Sequence, residues 1–182
     1  MRHFVVVGNT AVTRAFELDS TPNAGRMDIL CRCVNATFCL SHDIRRDVHL
    51  YLLLLGPPRP PVIIRFDGVE LRYLNPDERS AASLISNALS HPVSEKWSVS
   101  SPGVHIRNGT LESILSLNNN IVYLCEEGDD ISTAELGDAT FVLGDHLGLQ
   151  EKEENLLEKL GAKKVSMGPK KLHADHCIIL LH

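Results

Sequence analysis

The chain reads as an α/β protein, a mostly parallel sheet flanked by helices. Three observations predict this. A β-branched run, Phe4-Val-Val-Val7, closed by Gly8-Asn9-Thr10, opens the chain as a buried strand. Over residues 121–182, apolar runs of strand length alternate with helical stretches, and three of the runs end in a Gly-rich or polar loop. The composition is that of one globular domain: 182 residues, 43% hydrophobic and 23% charged.

After the first strand, Asp19 to Gly25 is dense in turn formers. Residues 26–40 carry helical periodicity through Met27, Leu30, Cys31, Val34 and Phe38. A charged connector, Ser41-His-Asp-Ile-Arg-Arg-Asp47, leads into the apolar run His49 to Leu55. Gly56-Pro-Pro-Arg-Pro-Pro61 excludes helix and sheet interior. Two runs, residues 62–66 and 69–73, flank Asp67-Gly68 and predict a hairpin near 62–74, with Arg65 and Arg72 among apolar neighbours. Asn75 as N-cap, Pro76 at the first helical position and Glu78 three residues on predict a helix over 77–89.

Residues 96–107 read ambiguously: Trp97 to Ser100 alternates, and Gly103 to Ile106 fits an edge strand. A short helix is expected over 110–117. Then come a strand (121–124), a short helix (133–136), a strand (140–143), a helix (150–160) stopped by Gly161, a strand (163–167) and a helix (173–181). No linker divides the chain, so 1–182 is read as a single domain.

Composition also excludes some classes. No apolar run approaches the ~20 residues of a membrane span, and the N-terminus does not resemble a signal peptide. A cytoplasmic protein is the expectation. Five Cys at irregular spacing fit reduced thiols better than disulfides. Cys31 and Cys33 point to different faces of one helix, so Cys31 reads as core rather than as a zinc ligand. His173 and His176 have no third ligand placed by spacing, and no metal is expected. Net charge is −5. Its distribution is uneven: residues 1–79 carry ten Arg, no Lys and nine acids, while residues 80–182 carry one Arg, seven Lys and fourteen acids. Arg suits bidentate phosphate contacts and base stacking. These Arg equally have nine acids nearby to pair with, and the two readings stand level.

Strand-end loops of an α/β sheet are where small ligands bind. The three here follow Leu124, Gly144-Asp145-His146, and Ser166 to Leu172. The sequence holds no GxGxxG, P-loop or GxSxG pattern, so dinucleotide, nucleoside-triphosphate and nucleophile-elbow chemistry are unsupported. Asp145-His146 reads as loop chemistry at a strand end rather than as a dyad, because adjacent side chains rarely face one another. Cys177 lies on an apolar helix face and reads as packed.

Gly25-Arg-Met-Asp-Ile-Leu-Cys-Arg-Cys-Val-Asn35, Ser41-His-Asp-Ile-Arg45, Leu55-Gly-Pro-Pro58 and Leu71-Arg-Tyr-Leu-Asn-Pro-Asp-Glu-Arg-Ser80 resemble the archaeal-type tRNA pseudouridine-54 N1-methyltransferases of the SPOUT superfamily. The C-terminal Phe-Val-Leu-Gly-Asp-His and Val-Ser-Met-Gly-Pro-Lys-Lys-Leu-His-Ala-Asp-His-Cys segments are similar too. The resemblance spans nearly the whole chain, and the Leu71–Ser80 segment is its most specific part. Family chains continue the last helix beyond the position of His182, which bears on that helix's final turn and its dimer contacts.

That resemblance implies an α/β knot with a C-terminal trefoil, S-adenosylmethionine as cofactor and a pseudouridine of tRNA as substrate. It implies an RNA-facing portion over 1–108 and a knotted cofactor-binding portion over 109–182. The cofactor residues carried over are Leu124, Leu143, Gly144, Ser166, Gly168, Leu172 and Cys177. Gly144 and Gly168 would let backbone approach the ligand, and this cofactor needs no phosphate cradle because it has no phosphates. Methylating N1 requires loss of a proton, and Asp43 is the candidate acceptor, with Arg72 beside it in the catalytic set. Asp43 reads equally as an ion-pair partner of Arg45, Arg46 or Arg72. Arg26, Arg45, Arg46, Arg72 and Arg79 are the RNA-contact candidates, and base flipping fits a stacked target. A homodimer is expected. The same chemistry on ribosomal RNA, and a non-catalytic RNA-binding protein with the knotted fold, remain open alternatives.

Overall fold

A computed structural model describes residues 1–116 and 118–182. The end of the short helix expected over 110–117 falls on Leu117, outside the described residues. Eight strands form one sheet in the order β4-β5-β3-β2-β1-β7-β6-β8. In chain order they are β1 (Arg2–Gly8), β2 (Val48–Leu54), β3 (Val62–Asp67), β4 (Ser98–Ser101), β5 (Val104–Asn108), β6 (Ile121–Asp130), β7 (Thr140–Gly144) and β8 (Lys163–Ser166). The helices are α1 (Met27–Phe38), α2 (Glu78–Leu89), α3 (Leu111–Leu115), α4 (Glu151–Lys159) and α5 (Ala174–Leu180).

The strands β2, β1, β7, β6 and β8 run parallel, and β3, β5 and β4 extend the sheet antiparallel from β2. The α/β expectation holds, with the parallel part confined to five strands. β1 lies between β2 and β7, so the first and last parts of the chain share one sheet. An α-helix precedes β2, β6 and β8, while β6 returns to β7 through a 3-10 turn and loop.

Period-2 alternation sorts the side chains into two layers. Phe4, Val6, Leu50, Leu52, Phe141, Leu143, Val122 and Val165 face α1, α2 and α5 in the larger core. Val5, Val7, Leu53, Ile63, Tyr123 and Val142 face α3 and α4 in the smaller one. Cys31 and Cys33 are both fully buried. Burial pushes the Cys31 thiol up to about 12, as suits an apolar packing residue.

Several expected elements differ. There is no hairpin over 62–74: β3 pairs with β2 and β5, and residues 69–73 form no strand. Asp67-Gly68 still turns the chain, with the Val69 N–H donating to Asp67 Oδ1 at 2.9 Å. Gly68, however, packs under the backbone of Arg45 and Val48, and Leu71 turns into the core. Helix α2 is capped by Asp77 rather than Asn75, because Asp77 Oδ1 accepts from the Ser80 N–H at 2.6 Å. The strand expected over 121–124 continues to Asp130 through a register shift between Leu124 and Asp129. The helix expected over 133–136 is a 3-10 turn at Ile131–Thr133. Residues 96–107 resolve into β4, a turn at Gly103 with φ 77°, and the start of β5.

Candidate cofactor and RNA site

Five parallel strands end at one edge of the sheet, which is the cofactor edge of the sequence reading. Tyr123 pairs with Val142 and Leu124 with Val165. Leu143, Leu124 and Val165 therefore stand side by side on the three neighbouring strands. All three face the larger core, where Leu124, Ile131, Met167 and Leu172 are only partly buried against it. Cys177 is in the first turn of α5, packed in the same core with its thiol pushed up by burial and by nearby Asp175. Leu124, Leu143, Gly144, Ser166 and Gly168 thus come to one edge, with Leu172 and Cys177 packed against the core that it caps.

The turn after β7 is built tightly. A Cβ on Gly144 would lie 2.3 Å from the Gly148 backbone, so no side chain fits there. Asp145 closes the turn. Its carboxylate is 2% exposed and accepts the Asn9 backbone N–H at 2.9 Å, the Asn9 side-chain amide at 2.8 Å and the Leu147 N–H at 3.0 Å. The Asn9 amide also donates to the Gly148 carbonyl at 2.7 Å. His146 Nδ1 stands 3.7 Å from the same carboxylate. Asp145 is thereby committed to holding β1 and β7 together. Asn9, absent from the sequence-derived set, is its partner; only its place after a buried strand marked it.

On β8 the Ser166 hydroxyl donates to the Gly168 carbonyl at 3.1 Å. Gly168 holds φ 134°, which favours glycine, and the space around it is open. The apolar strand ends, glycine-lined turns and absence of any crowding at Gly168 suit an adenosyl ligand carrying no phosphate.

Arg26 lies at this same edge, just before α1, in a left-handed conformation with φ 62°. Its guanidinium grips Asp28 in a bidentate pair at 3.0 and 3.2 Å. Burial pushes the Asp28 carboxyl up, but hydrogen bonds from Arg26 and Arg32 outweigh it and the net shift is downward.

The remaining candidates lie elsewhere. Asp43 sits in the connection before β2, and Arg72 follows the far end of β3, where Asp67 pairs with His49. Both are therefore at the opposite edge of the sheet, about 20 Å away for a seven-residue strand. Asp43 is 73% exposed; its Oδ1 accepts the Ile44 N–H at 2.7 Å, and Arg46 is at 4.0 Å. That distance makes at most a loose surface pair. Arg46 is spent on structure: its Nη1 donates to the carbonyls of Gly68 at 3.0 Å and Leu71 at 2.8 Å. Arg45 donates through Nε to the Thr37 carbonyl at 3.3 Å. Arg72 is exposed, and its side chain forms no hydrogen bond or ion pair among the described residues. Arg79, on α2, pairs with Asp19. Among the described residues no three His, Cys, Asp or Glu side chains converge as a metal site, and no helix is long and apolar enough to cross a membrane.

Comparison with known proteins bears on this arrangement. Residues 1–182 match the profile of a family described as SAM-dependent RNA methyltransferase. A protein of Methanococcoides burtonii, named tRNA (pseudouridine(54)-N(1))-methyltransferase, is 52% identical over all of this chain and 94% of its own. One of the same name from Methanocella arvoryzae is also 52% identical, over all of this chain and 97% of its own. In fold, the chain is similar to Archaeoglobus fulgidus Nep1, solved with bound S-adenosylhomocysteine: TM-score 0.70 at 17% identity, covering 99% of this chain and 94% of that one.

Proposed function

The chain belongs to a family of SAM-dependent RNA methyltransferases, and from that premise we propose that it methylates N1 of pseudouridine 54 in tRNA. The observation that carries this reading is the meeting of Leu143, Leu124 and Val165 at one strand edge beside the Gly144 turn. It occurs in a chain half identical, over its full length, to relatives named for that reaction. Threading of the last strand and helix through a trefoil belongs to the same proposal, as does work in the cytoplasm.

The cofactor, when bound, supplies an electrophilic methyl group on a sulfonium. Leu124, Leu143 and Leu172 would cover its apolar faces, and the backbone at Gly144, Ser166 and Gly168 would read its polar edge. Cys177 would close the floor. The nucleophilic nitrogen carries a proton that must leave, and Asp43 would take it. Its Oδ1 is held by the Ile44 N–H, which orients Oδ2 outward. Arg72 would meet an RNA phosphate, and Arg45 and Arg26 would lie along the bound strand.

One copy has these halves at opposite sheet edges, so the site needs a second copy. Helix α5 points from the cofactor edge toward the other edge, where Arg2 at the start of β1 donates to the Leu181 carbonyl at 2.6 Å, and Ile179 and Leu180 on it are 57% and 61% exposed. Ile179 borders a groove against α1 lined by Arg32, Ala36 and Cys39. A two-fold contact with α5 helices antiparallel would bring the Asp43 edge of one copy to the cofactor edge of its partner. The reading is thus a homodimer with two composite sites.

Two experiments test it. Methyl transfer from labelled S-adenosylmethionine is measured on tRNA transcripts carrying uridine or pseudouridine at position 54, with a pseudouridine-bearing ribosomal RNA fragment beside them. Transfer to the pseudouridine tRNA alone is expected; equal transfer to uridine would refute the reading. Mixing Asp43→Asn with Gly144→Val chains, each inactive alone, should restore activity, because one site of each mixed dimer is intact.

A further inference from the structure

Among the described residues two that are not glycine hold a positive φ, Arg26 at 62° and Tyr73 at 65°. A Cβ in that conformation crowds the following carbonyl oxygen, so the surroundings must enforce it. Arg26 has a local reason in its bidentate pair with Asp28. Tyr73 has none. It is 73% exposed, and its hydroxyl has no hydrogen-bond partner among the described residues.

The chain around Tyr73 is fixed on both sides. Leu71 is fully buried and Leu74 is 7% exposed. Arg46 holds the carbonyls of Gly68 and Leu71, and the Arg72 N–H donates to the Pro102 carbonyl at 3.3 Å. Gly103 packs so close that a Cβ on it would lie 2.4 Å from the Leu71 backbone. Beyond Leu74, the Ser80 hydroxyl accepts from the Asn75 N–H at 2.8 Å and donates to the Asn75 carbonyl at 2.9 Å. Between two core anchors the chain has room for two residues, Arg72 and Tyr73, and both are displayed to solvent. Arg46, which clamps this loop, also stands 4.0 Å from Asp43. The displayed pair and the exposed carboxylate therefore share one edge.

We infer that Tyr73 is a stacking platform for an unstacked base of the RNA substrate, set beside the Asp43 carboxylate. This rests on the RNA-methyltransferase reading. An aromatic ring displayed to water on an anchored backbone, next to an unpaired guanidinium, matches one nucleotide: the ring takes the base and Arg72 takes the phosphate. An anchored backbone also loses little freedom on binding. The left-handed backbone is the strain that aims the ring outward.

The test uses the full chain with Tyr73→Phe, Tyr73→Ala and Tyr73→Gly. It reads tRNA affinity, steady-state methyl transfer, S-adenosylmethionine affinity and melting temperature. Tyr73→Phe should match the parent. Tyr73→Ala should weaken tRNA binding about tenfold and raise KM for tRNA, with cofactor affinity unchanged. Tyr73→Gly should show the same RNA defect yet melt at or above the parent, because glycine adopts this φ freely. An alanine variant that binds tRNA like the parent overturns the inference, and so does a glycine variant that melts well below it, since the ring would then be structural. A parent protein that transfers no methyl group to any RNA instead sinks the functional reading itself.

Discussion

Asn9 and Asp145 clasp the ends of two neighbouring parallel strands with a pair of hydrogen bonds, backbone N–H to Oδ2 at 2.9 Å and side-chain amide to Oδ1 at 2.8 Å. The two residues are 136 positions apart in the chain. Removing the carboxylate would strand the buried donors it serves. Asp145→Ala should therefore lower stability by about 3 kcal/mol, read from urea unfolding midpoints. Cofactor affinity should fall with it, because the 145–148 turn borders the proposed ligand.

Gly144→Ala should act more locally. The added Cβ meets the Gly148 backbone at 2.3 Å, and neither strand end can yield without moving the turn. Overpacking of this kind costs about 1–3 kcal/mol. Calorimetry should find weaker S-adenosylmethionine binding while the fold, judged by circular dichroism, persists. Unchanged affinity would remove Gly144 from the cofactor site.

Asp43→Asn should leave melting temperature and cofactor affinity near the parent values, since the side chain is 73% exposed and its one pair, with Arg46, is loose. The rate constant for methyl transfer should fall by about 10²–10⁴. A variant with near-full rate at neutral pH would take Asp43 out of the proton transfer.

Acid should destabilise the protein through its buried and half-buried histidines. His3 is held below 6.5 by burial and by His49, whose ring is 5.0 Å away. His49 and His105 are also lowered, chiefly by burial, and His182 is lowered to about 4 by burial and by Arg45 and Arg2. As pH falls, the unfolded chain takes up these protons first, so stability present above 6.5 is lost on the way down to about 4. Urea midpoints at neutral pH and across that window should show the decline, and His182→Gln should flatten part of it.

These expectations depend on features that the sequence exposed unevenly. Strand order along 121–182 was readable because each apolar run is short and closed by a turn. Gly144 and Gly168 stood out because glycine at a strand end has few other uses. The Asn9–Asp145 clasp was not readable, since nothing local links residues so far apart. Asp67-Gly68 misled for the opposite reason. Its turn chemistry is real, but β2 and β5 had already taken both sides of β3, and residues 69–73 had no edge left to join. The α2 cap moved from Asn75 to Asp77 because Ser80 bonds both, its hydroxyl to one and its N–H to the other. The division of the candidate residues between opposite sheet edges could be seen only once the strand directions were known.

The open sheet has a further consequence. With eight strands in line, its two outer strands offer unpaired backbone to any other chain. One of them, β8, is four residues long and carries Lys163 and Lys164, both exposed. The other, β4, is equally short, and its pairing slips between Val99 and Ser101. Both margins are thus poor templates for adding a strand, so the protein is protected against growing into ribbons or fibrils.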